Sequence, residues 1–171
     1  MKFPLIGHHF MKRKYTKWLT KPLNELTKTQ WEQLCDRCGI CCVHKVENQE
    51  GDVYLTDIAC KHLEIQSVTC QCYHERTRNQ KLCRVMTPDN IKDNLGWLPE
   101  TCAYRRRFEN RPLPNWHPLL SNGSDRLFKE GIDIRDKVIS ESLLDDIDWR
   151  EHIVDKNYFS FSGIGSFSVI D

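Results

Sequence analysis

Four cysteines crowd into eight residues, Cys35-Asp36-Arg37-Cys38-Gly39-Ile40-Cys41-Cys42. A cysteine at every third position brings successive sulfurs to one side of a tight loop, with the separation that a metal ion or a cluster edge requires. The run C-x2-C-x2-C also matches the first three ligand positions of the bacterial ferredoxin pattern. Gly39 can take positive φ, so the backbone can curl there and aim N–H groups at sulfur. Cys42 directly follows a ligand position, and its side chain is expected to diverge toward a different metal or a bridge. Arg37 and His44 are placed to offset thiolate charge.

Five more cysteines follow at Cys60, Cys70, Cys72, Cys83 and Cys102. None repeats a clean C-x2-C step, and a lone buried cysteine is commonly a small hydrophobe. Together, however, they share a polar, irregular middle of the chain, where metal ligation would supply the cross-links that long loops lack. The candidate metal ligands are therefore all nine: Cys35, Cys38, Cys41, Cys42, Cys60, Cys70, Cys72, Cys83 and Cys102. His44, His62 and His74 lie near cysteines and are candidate ligands or donors to ligands. His8, His9, His117 and His152 read as surface or packing residues.

Nine cysteines in 171 residues is also a density found in secreted disulfide scaffolds. Three features oppose that reading. The first residues carry no apolar stretch followed by a small-residue cleavage site. The cysteine count is odd. Cys41 and Cys42 are adjacent, and a bond between sequence neighbours is strained. Reduced thiols in a cytoplasmic protein are the expectation. No apolar run approaches the roughly eighteen residues of a membrane span.

The elements that position these cysteines are short. Thr29 to Glu32 fits a capping box, with Thr29 as N-cap, starting a helix that carries Trp31 and Leu34 and delivers the chain to Cys35. Glu50-Gly51-Asp52 signals a turn. Val53-Tyr54-Leu55 reads as a strand, and Thr56 as the N-cap of a helix through Ile58, Cys60 and Leu63. Residues 70–94 read as irregular. Pro99 suits the first turn of a helix through Cys102, Tyr104 and Phe108, ended by Asn110 and Pro112. Residues 112–120 read as an extended segment pinned to the core. Ile132 and Ile134 alternate with charged residues as in a strand. Residues 138–153 read as a helix broken near Asp145–Asp148. The fold class is α+β, mostly helical and irregular: one small domain at 17–156 whose long loops are pinned by a cysteine-ligated metal centre. A basic arm at 1–16 precedes it, and a flexible tail at 157–171 follows.

Several of these residues carry a family resemblance. Beside the Cys35–Cys42 run stand Tyr54-Leu55-Thr56 leading into Ala59-Cys60 and Leu63, and Cys70-Gln71-Cys72-Tyr73 followed by Glu75-Arg76 and Cys83. Further on are Trp97-Leu98-Pro99, Thr101 to Arg105, Leu113-Pro114, Trp116 to Leu120, Asp148-Trp149 and His152-Ile153. From about Lys17 to Lys156 the chain resembles the YkgJ-type cysteine-cluster family, and most closely its YcgN-like branch. The resemblance implies a zinc- or iron-chelating domain, and a flagellin lysine methylase carries a similar cysteine domain. The broader family pattern C-x-x-Y-x-x-R-P has proline where this chain has Thr77. Cys72 and Cys102 look like additions of the branch.

Zinc and an iron–sulfur cluster both suit thiolate ligands. Structural zinc usually takes two separated C-x2-C pairs. Three close cysteines with a remote fourth suit a 4Fe–4S cubane better, so the cluster is favoured over Zn2+. Catalytic residues are absent from this reading: Gly163 and Gly165 have no helix after them to receive a phosphate, and Asp145, Asp146 and Asp148 read as a solvated acidic face. Three functions remain. One is a metal-thiolate protein serving structure, metal handling or electron transfer, and this is favoured. A second is an iron–sulfur-dependent modifying enzyme or its accessory subunit. The third is a zinc-based nucleic-acid-binding module using the basic arm. Hydrophobic content of 39%, charged content of 29% and a net charge of +1 commit the chain to neither nucleic acid nor membrane.

Overall fold

A hairpin builds the sheet. Strand β1, Val43–Glu47, pairs antiparallel with β2, Val53–Ala59. The expected turn lies between them. The Asn48 side chain accepts the N–H groups of Glu50 at 3.1 Å and Asp52 at 2.7 Å, and Gly51 takes φ 92°. The computed structural model describes residues 17–121, 125–155, 158 and 159. The expected basic arm at 1–16, with His8 and His9, and all of the expected tail at 157–171 except Tyr158 and the buried Phe159 lie outside them.

The register slips inside this hairpin. Val43 faces Ala59, but Lys45 faces Leu55, so β2 bulges opposite His44. A bulge leaves the carbonyl opposite it without a ladder partner, and the Thr56 hydroxyl fills the gap. Thr56 is fully buried, donates to the His44 carbonyl at 2.9 Å and accepts the Ile58 N–H at 3.2 Å. The helix expected to start at Thr56 is therefore a strand: its hydroxyl serves the bulge, and β2 runs on to Ala59. Replacing Thr56 with valine is expected to destabilise the fold by about 1–3 kcal/mol, the range for a buried polar group left unpaired. Urea denaturation measures the loss, and an unchanged midpoint would remove the hydroxyl from this account.

The other edge of β2 takes residues from the end of the chain. Strand β5, Ile139–Ser140, pairs parallel with it, placing Ile58 beside Ile139. Beyond β5, Val154 donates to the Leu55 carbonyl at 3.0 Å and Asp57 to that of His152 at 3.1 Å. Residues 138–153 consequently form no broken helix. They hold β5, a 3-10 turn at Glu141–Leu143 and a loop bridged to Thr56 through Ile153. Their mixed apolar spacing reflects sheet pairing, and Leu143 is left 76% exposed. Strands β3, Leu63–Glu64, and β4, Thr69–Cys70, form a separate small hairpin.

Helix α1, Lys28–Glu32, starts two residues earlier than the Thr29 capping box required. Thr27 is the N-cap, with its hydroxyl and the Gln30 side chain closing a reciprocal box. Two boxes fit this sequence, and burial chooses between them. With Thr27 capping, Leu26 and Trp31 occupy the two staple positions, and both join one apolar cluster. Helix α2, Arg76–Asn79, is a single turn inside the irregular middle. In α3, Ala103–Phe108, Cys102 is the N-cap and donates its N–H to Pro99 at 2.9 Å, so Pro99 precedes the helix. Asn110, at φ 55°, closes it as expected. A last helix, α4, spans Asp125–Lys129. Ile132 and Ile134 are buried but lie outside any strand; the intervening Asp133 also turns inward and binds Arg135 at 2.6 Å. Helix and sheet are thus both present, with no described helix longer than six residues, in place of a mostly helical fold.

Two apolar clusters make the core. The sheet-side cluster gathers Ile40, Val43, Ala59, Trp116, Ile134 and Phe159, and includes Cys38. The helix-side cluster gathers Trp31, Leu34, Ile91, Leu98, Tyr104 and Leu113, and includes Cys102. Trp31 and Tyr104 stack at 4.5 Å between centroids. Among the described residues, no helix is long and apolar enough to cross a membrane.

Candidate metal centre

The cysteine loop is curled by backbone that ordinary residues avoid. Arg37 takes φ 62° and Gly39 φ 80°. Gly39 has no room for a side chain: an added Cβ would stand 2.7 Å from both Ile134 Cγ1 and Val68 Cγ1. The loop leaves α1 through Leu34, whose carbonyl accepts from His117 Nε2 at 2.9 Å. His117 Nδ1 accepts the Leu119 N–H at 3.1 Å, so this fully buried histidine is a packing residue, as expected. Ile134 N–H caps the Cys38 carbonyl at 3.1 Å.

All nine cysteines are free thiols. Cys35, Cys38, Cys41 and Cys102 share one electrostatic neighbourhood, which also contains the buried Asp36. Asp36 Oδ1 accepts the Cys38 N–H at 3.1 Å, while burial pushes its carboxyl up. Burial likewise pushes the thiols of Cys35 and Cys38 up, with Cys41 and Asp36 adding repulsion. Cys102 is pushed up to about 12, by burial first and by Asp36 and Cys41 after it. Cys35 and Cys41 keep contact with solvent, yet protein packs densely enough beneath each that burial still disfavours its thiolate. Cys41 nevertheless falls to about 7, because Cys42 donates to it, and Lys45 assists against the burial penalty. Cys42 rises for the matching reason: its proton is held by Cys41.

The Cys41 and Cys42 sulfurs approach to 4.0 Å. They do not diverge as expected, because a 3-10 turn at Ile40–Cys42 brings consecutive side chains closer than extended backbone would.

The remaining thiols gather around the two hairpins. Cys60 donates its N–H to the Cys42 carbonyl at 2.9 Å, and Leu63 donates to that of Cys60 at 2.9 Å. Leu63 in turn pairs with Cys70 across β3 and β4. Cys70 and Cys72 bring their sulfurs to 3.9 Å. Burial raises the Cys83 thiol; Arg76 opposes this, while charge on Cys41, Cys70 and Cys60 adds to it. The Tyr73 and Arg76 positions of the family-like motif are in contact, the guanidinium 3.9 Å from the ring centroid. Tyr73 also donates to Glu32, tying this segment to α1.

The cation beside these sulfurs is Lys45, a residue that the sequence reading passed over in favour of Arg37 and His44. Its Nζ donates to the Ile40 carbonyl at 3.2 Å and to that of Val43 at 2.9 Å, and stands 5.5 Å from the Trp97 ring centroid. Burial lowers its pKa, and charge on Cys41, Cys42 and Cys38 works the other way. Arg37 is exposed, and His44 is held by Glu141 at 3.2 Å. Lys45 sits two residues after Val43 on β1, a placement legible only once the strand is known. His152 pairs with Asp57 at 2.8 Å. His74 is exposed beside Tyr73. His62 differs from both, since its Nε2 is buried without a hydrogen-bond partner among the described residues.

A zinc ion or an iron–sulfur cluster is the group to be tested against these residues. Among the described residues, no three His, Cys, Asp or Glu side chains already stand in a metal-holding arrangement. In donor type the residues fit. Neighbouring thiols burdened by burial and mutual repulsion, with a lysine beside them, are sites where a metal cation would reverse the electrostatic penalty.

No family model matches the sequence, and no solved structure matches the chain. Curated relatives do. A protein of Marinobacter nauticus named UPF0260 protein is 41% identical over 138 residues, covering 80% of this chain and 93% of its own. One of Shewanella denitrificans is 43% identical over 138 residues, 80% of this chain and 92% of the relative. The UPF0260 protein YcgN of Salmonella paratyphi B is 41% identical over 140 residues, 81% of this chain and 90% of the relative. The expected YcgN-like branch agrees with these relatives, and their names state no activity.

Proposed function

The chain belongs to the UPF0260 family, and we propose that within it this protein holds an iron–sulfur cluster or zinc on its clustered cysteines. The observation that carries this reading is the grouping of free thiols from remote segments. Cys102, at the start of α3, shares its electrostatic surroundings with Cys35, Cys38 and Cys41, more than sixty residues away in sequence. Buried thiols that raise one another's pKa are costly as anions unless a thiophilic cation joins them. A cytoplasmic, reducing location suits nine free cysteines.

The chain's own residues would do three things there. Cys38 and Cys102 anchor from the two halves of the core. Gly39 shapes the loop so that the sulfurs can turn inward. Lys45 supplies a fixed positive charge that offsets excess thiolate. When bound, zinc would supply a structural cross-link, and a cluster would add electron transfer. The spacing of Cys35, Cys38 and Cys41, with a remote fourth sulfur, favours the cluster.

Purification without oxygen, followed by iron, sulfide and zinc analysis, tests the reading. Brown protein with acid-labile sulfide would identify a cluster, and colourless protein with bound zinc would identify the ion. Cys38→Ala is expected to lose most of that metal and to become protease-sensitive. Wild-type protein that stays free of metal under these conditions would overturn the proposal.

A further inference from the structure

Cys70 and Cys72 are held against each other by backbone on both sides. Cys70 closes the small hairpin, paired with Leu63 across β3 and β4. The turn of that hairpin is locked. Glu64 accepts the N–H groups of Gln66 at 3.3 Å and Ser67 at 2.6 Å, and Val68, at φ 49°, is buried in the sheet-side cluster. Gln71, between the two cysteines, donates its N–H to the His62 carbonyl at 2.9 Å. On the far side the Cys72 carbonyl accepts the Glu75 N–H at 2.9 Å, and Tyr73 donates to Glu32 of α1. Backbone tied at both ends leaves the sulfurs in contact at 3.9 Å, on residues that are both half-buried.

A bond between these sulfurs is within reach of the chain. Residues two apart stand about 6.7 Å apart in an extended strand and closer in a bent one, inside the roughly 4.4–6.8 Å that a disulfide spans between Cα atoms. The sulfurs then need only close from 3.9 Å to about 2.0 Å. The Cys41 and Cys42 sulfurs are also in contact, at 4.0 Å, but a bond between sequence neighbours strains the peptide that joins them. The two contacts therefore differ in what oxidation makes of them.

We infer that Cys70 and Cys72 are a reversible dithiol–disulfide pair, a site of oxidative modification that exchanges with small disulfides such as glutathione disulfide. One thiolate of the pair attacks a glutathione sulfur, breaking the glutathione S–S bond and releasing one glutathione thiolate. The second attacks the protein sulfur of the mixed disulfide, forms the Cys70–Cys72 bond and displaces the other glutathione. The protein loses two electrons and two protons, and the small disulfide gains both as two thiols. A bond in so small a ring, at a half-buried site, is of the labile kind, so excess reduced glutathione reopens it. The pair goes beyond the metal-thiolate function: it needs no metal, and its closure leaves Cys35, Cys38, Cys41 and Cys102 as they are.

Trypsin gives a direct reading, because its fragment His62–Arg76 contains these two cysteines and no others. Full-length protein isolated without oxygen is incubated with glutathione disulfide, and its remaining thiols are blocked with N-ethylmaleimide in denaturant before digestion. The fragment is expected to be unblocked and lighter than its dithiol form by two hydrogens. Excess reduced glutathione, added before blocking, is expected to return both cysteines to the blocked form. Cys70→Ser and Cys72→Ser are each expected to stop at the mixed disulfide, with one glutathione retained on this fragment. A wild-type fragment that keeps both thiols, or gathers glutathione without closing the ring, would overturn the pair. So would an internal bond that forms first in the fragment Cys38–Lys45, which contains Cys41 and Cys42. Equal closure in the folded protein and in the isolated fragment His62–Arg76 would also overturn it, since the fold would then contribute nothing. Iron, sulfide and zinc contents of the same preparation bear on the metal-thiolate function alone, so the two readings fail separately.

Discussion

If the proposed metal is bound, stripping it from anaerobically purified protein is expected to unfold the segment between Cys60 and Cys102. That segment contains two-residue strands, the single-turn helix α2 and a 3-10 turn at Lys92–Trp97, with few buried apolar side chains. Such elements do not stand alone, because a short helix or hairpin has too few bonds to offset the backbone entropy of ordering it. Thiolate ligation would close these loops. Its apparent contribution in small zinc domains is about 10 kcal/mol or more at neutral pH, comparable with the roughly 5–15 kcal/mol that separates most folded domains from their unfolded chains. Treatment with EDTA, or with EDTA and ferricyanide for a cluster, should therefore lower the melting temperature steeply. It should also open residues 60–102 to protease, while the β1–β2 hairpin, backed by its own cluster, resists longer. Identical melting and digestion before and after stripping would show that the loops need no metal.

Gly39→Ala carries the second large effect. At φ 80° the residue lies in the left-handed region, where a side chain costs about 1–2 kcal/mol. The new Cβ would also meet Ile134 and Val68 at 2.7 Å, too close for any real contact. Both neighbours are buried in the sheet-side cluster and cannot swing into solvent. Overpacking of this kind typically adds about 1–3 kcal/mol, so a total near 3 kcal/mol is expected. Guanidinium denaturation of wild type and variant, purified and handled identically, measures the backbone and packing cost. Metal content of the same variant then reports whether the curl is needed to gather Cys38 and Cys41. A variant as stable as wild type would mean that the loop can take another path.

Much of the site was legible because its signals are local. The cysteines, the left-handed Gly39, the buried Trp31 and Leu34, and the Gly51 turn depend on neighbours a few residues away. The Thr27 cap was legible too, had Leu26 and Trp31 been weighed as a staple. What could not be read depends on distant partners. Thr56 looks like a helix start until His44 is known to need its hydroxyl. Residues 138–153 look helical until β2 offers them an edge. Ile132 and Ile134 imitate a strand because alternation says nothing about Asp133, which is buried as well, at 2% exposure. Lys45 became visible as the site's cation only through the hairpin register. The grouping of Cys102 with the first three cysteines likewise follows from the contact of α1 with α3, which spacing cannot express.

The four cysteines that include Cys102 differ in access: Cys35 and Cys41 are exposed residues, whereas Cys38 and Cys102 are only 9% exposed. Under the proposed function, a carrier delivering an ion or a preassembled cofactor would engage the outer pair first. Release would run through the same two residues in reverse, so the inner pair would govern residence time and the outer pair uptake. Exchange at such a centre would be one-sided, with a doorway and a latch built from the same kind of side chain.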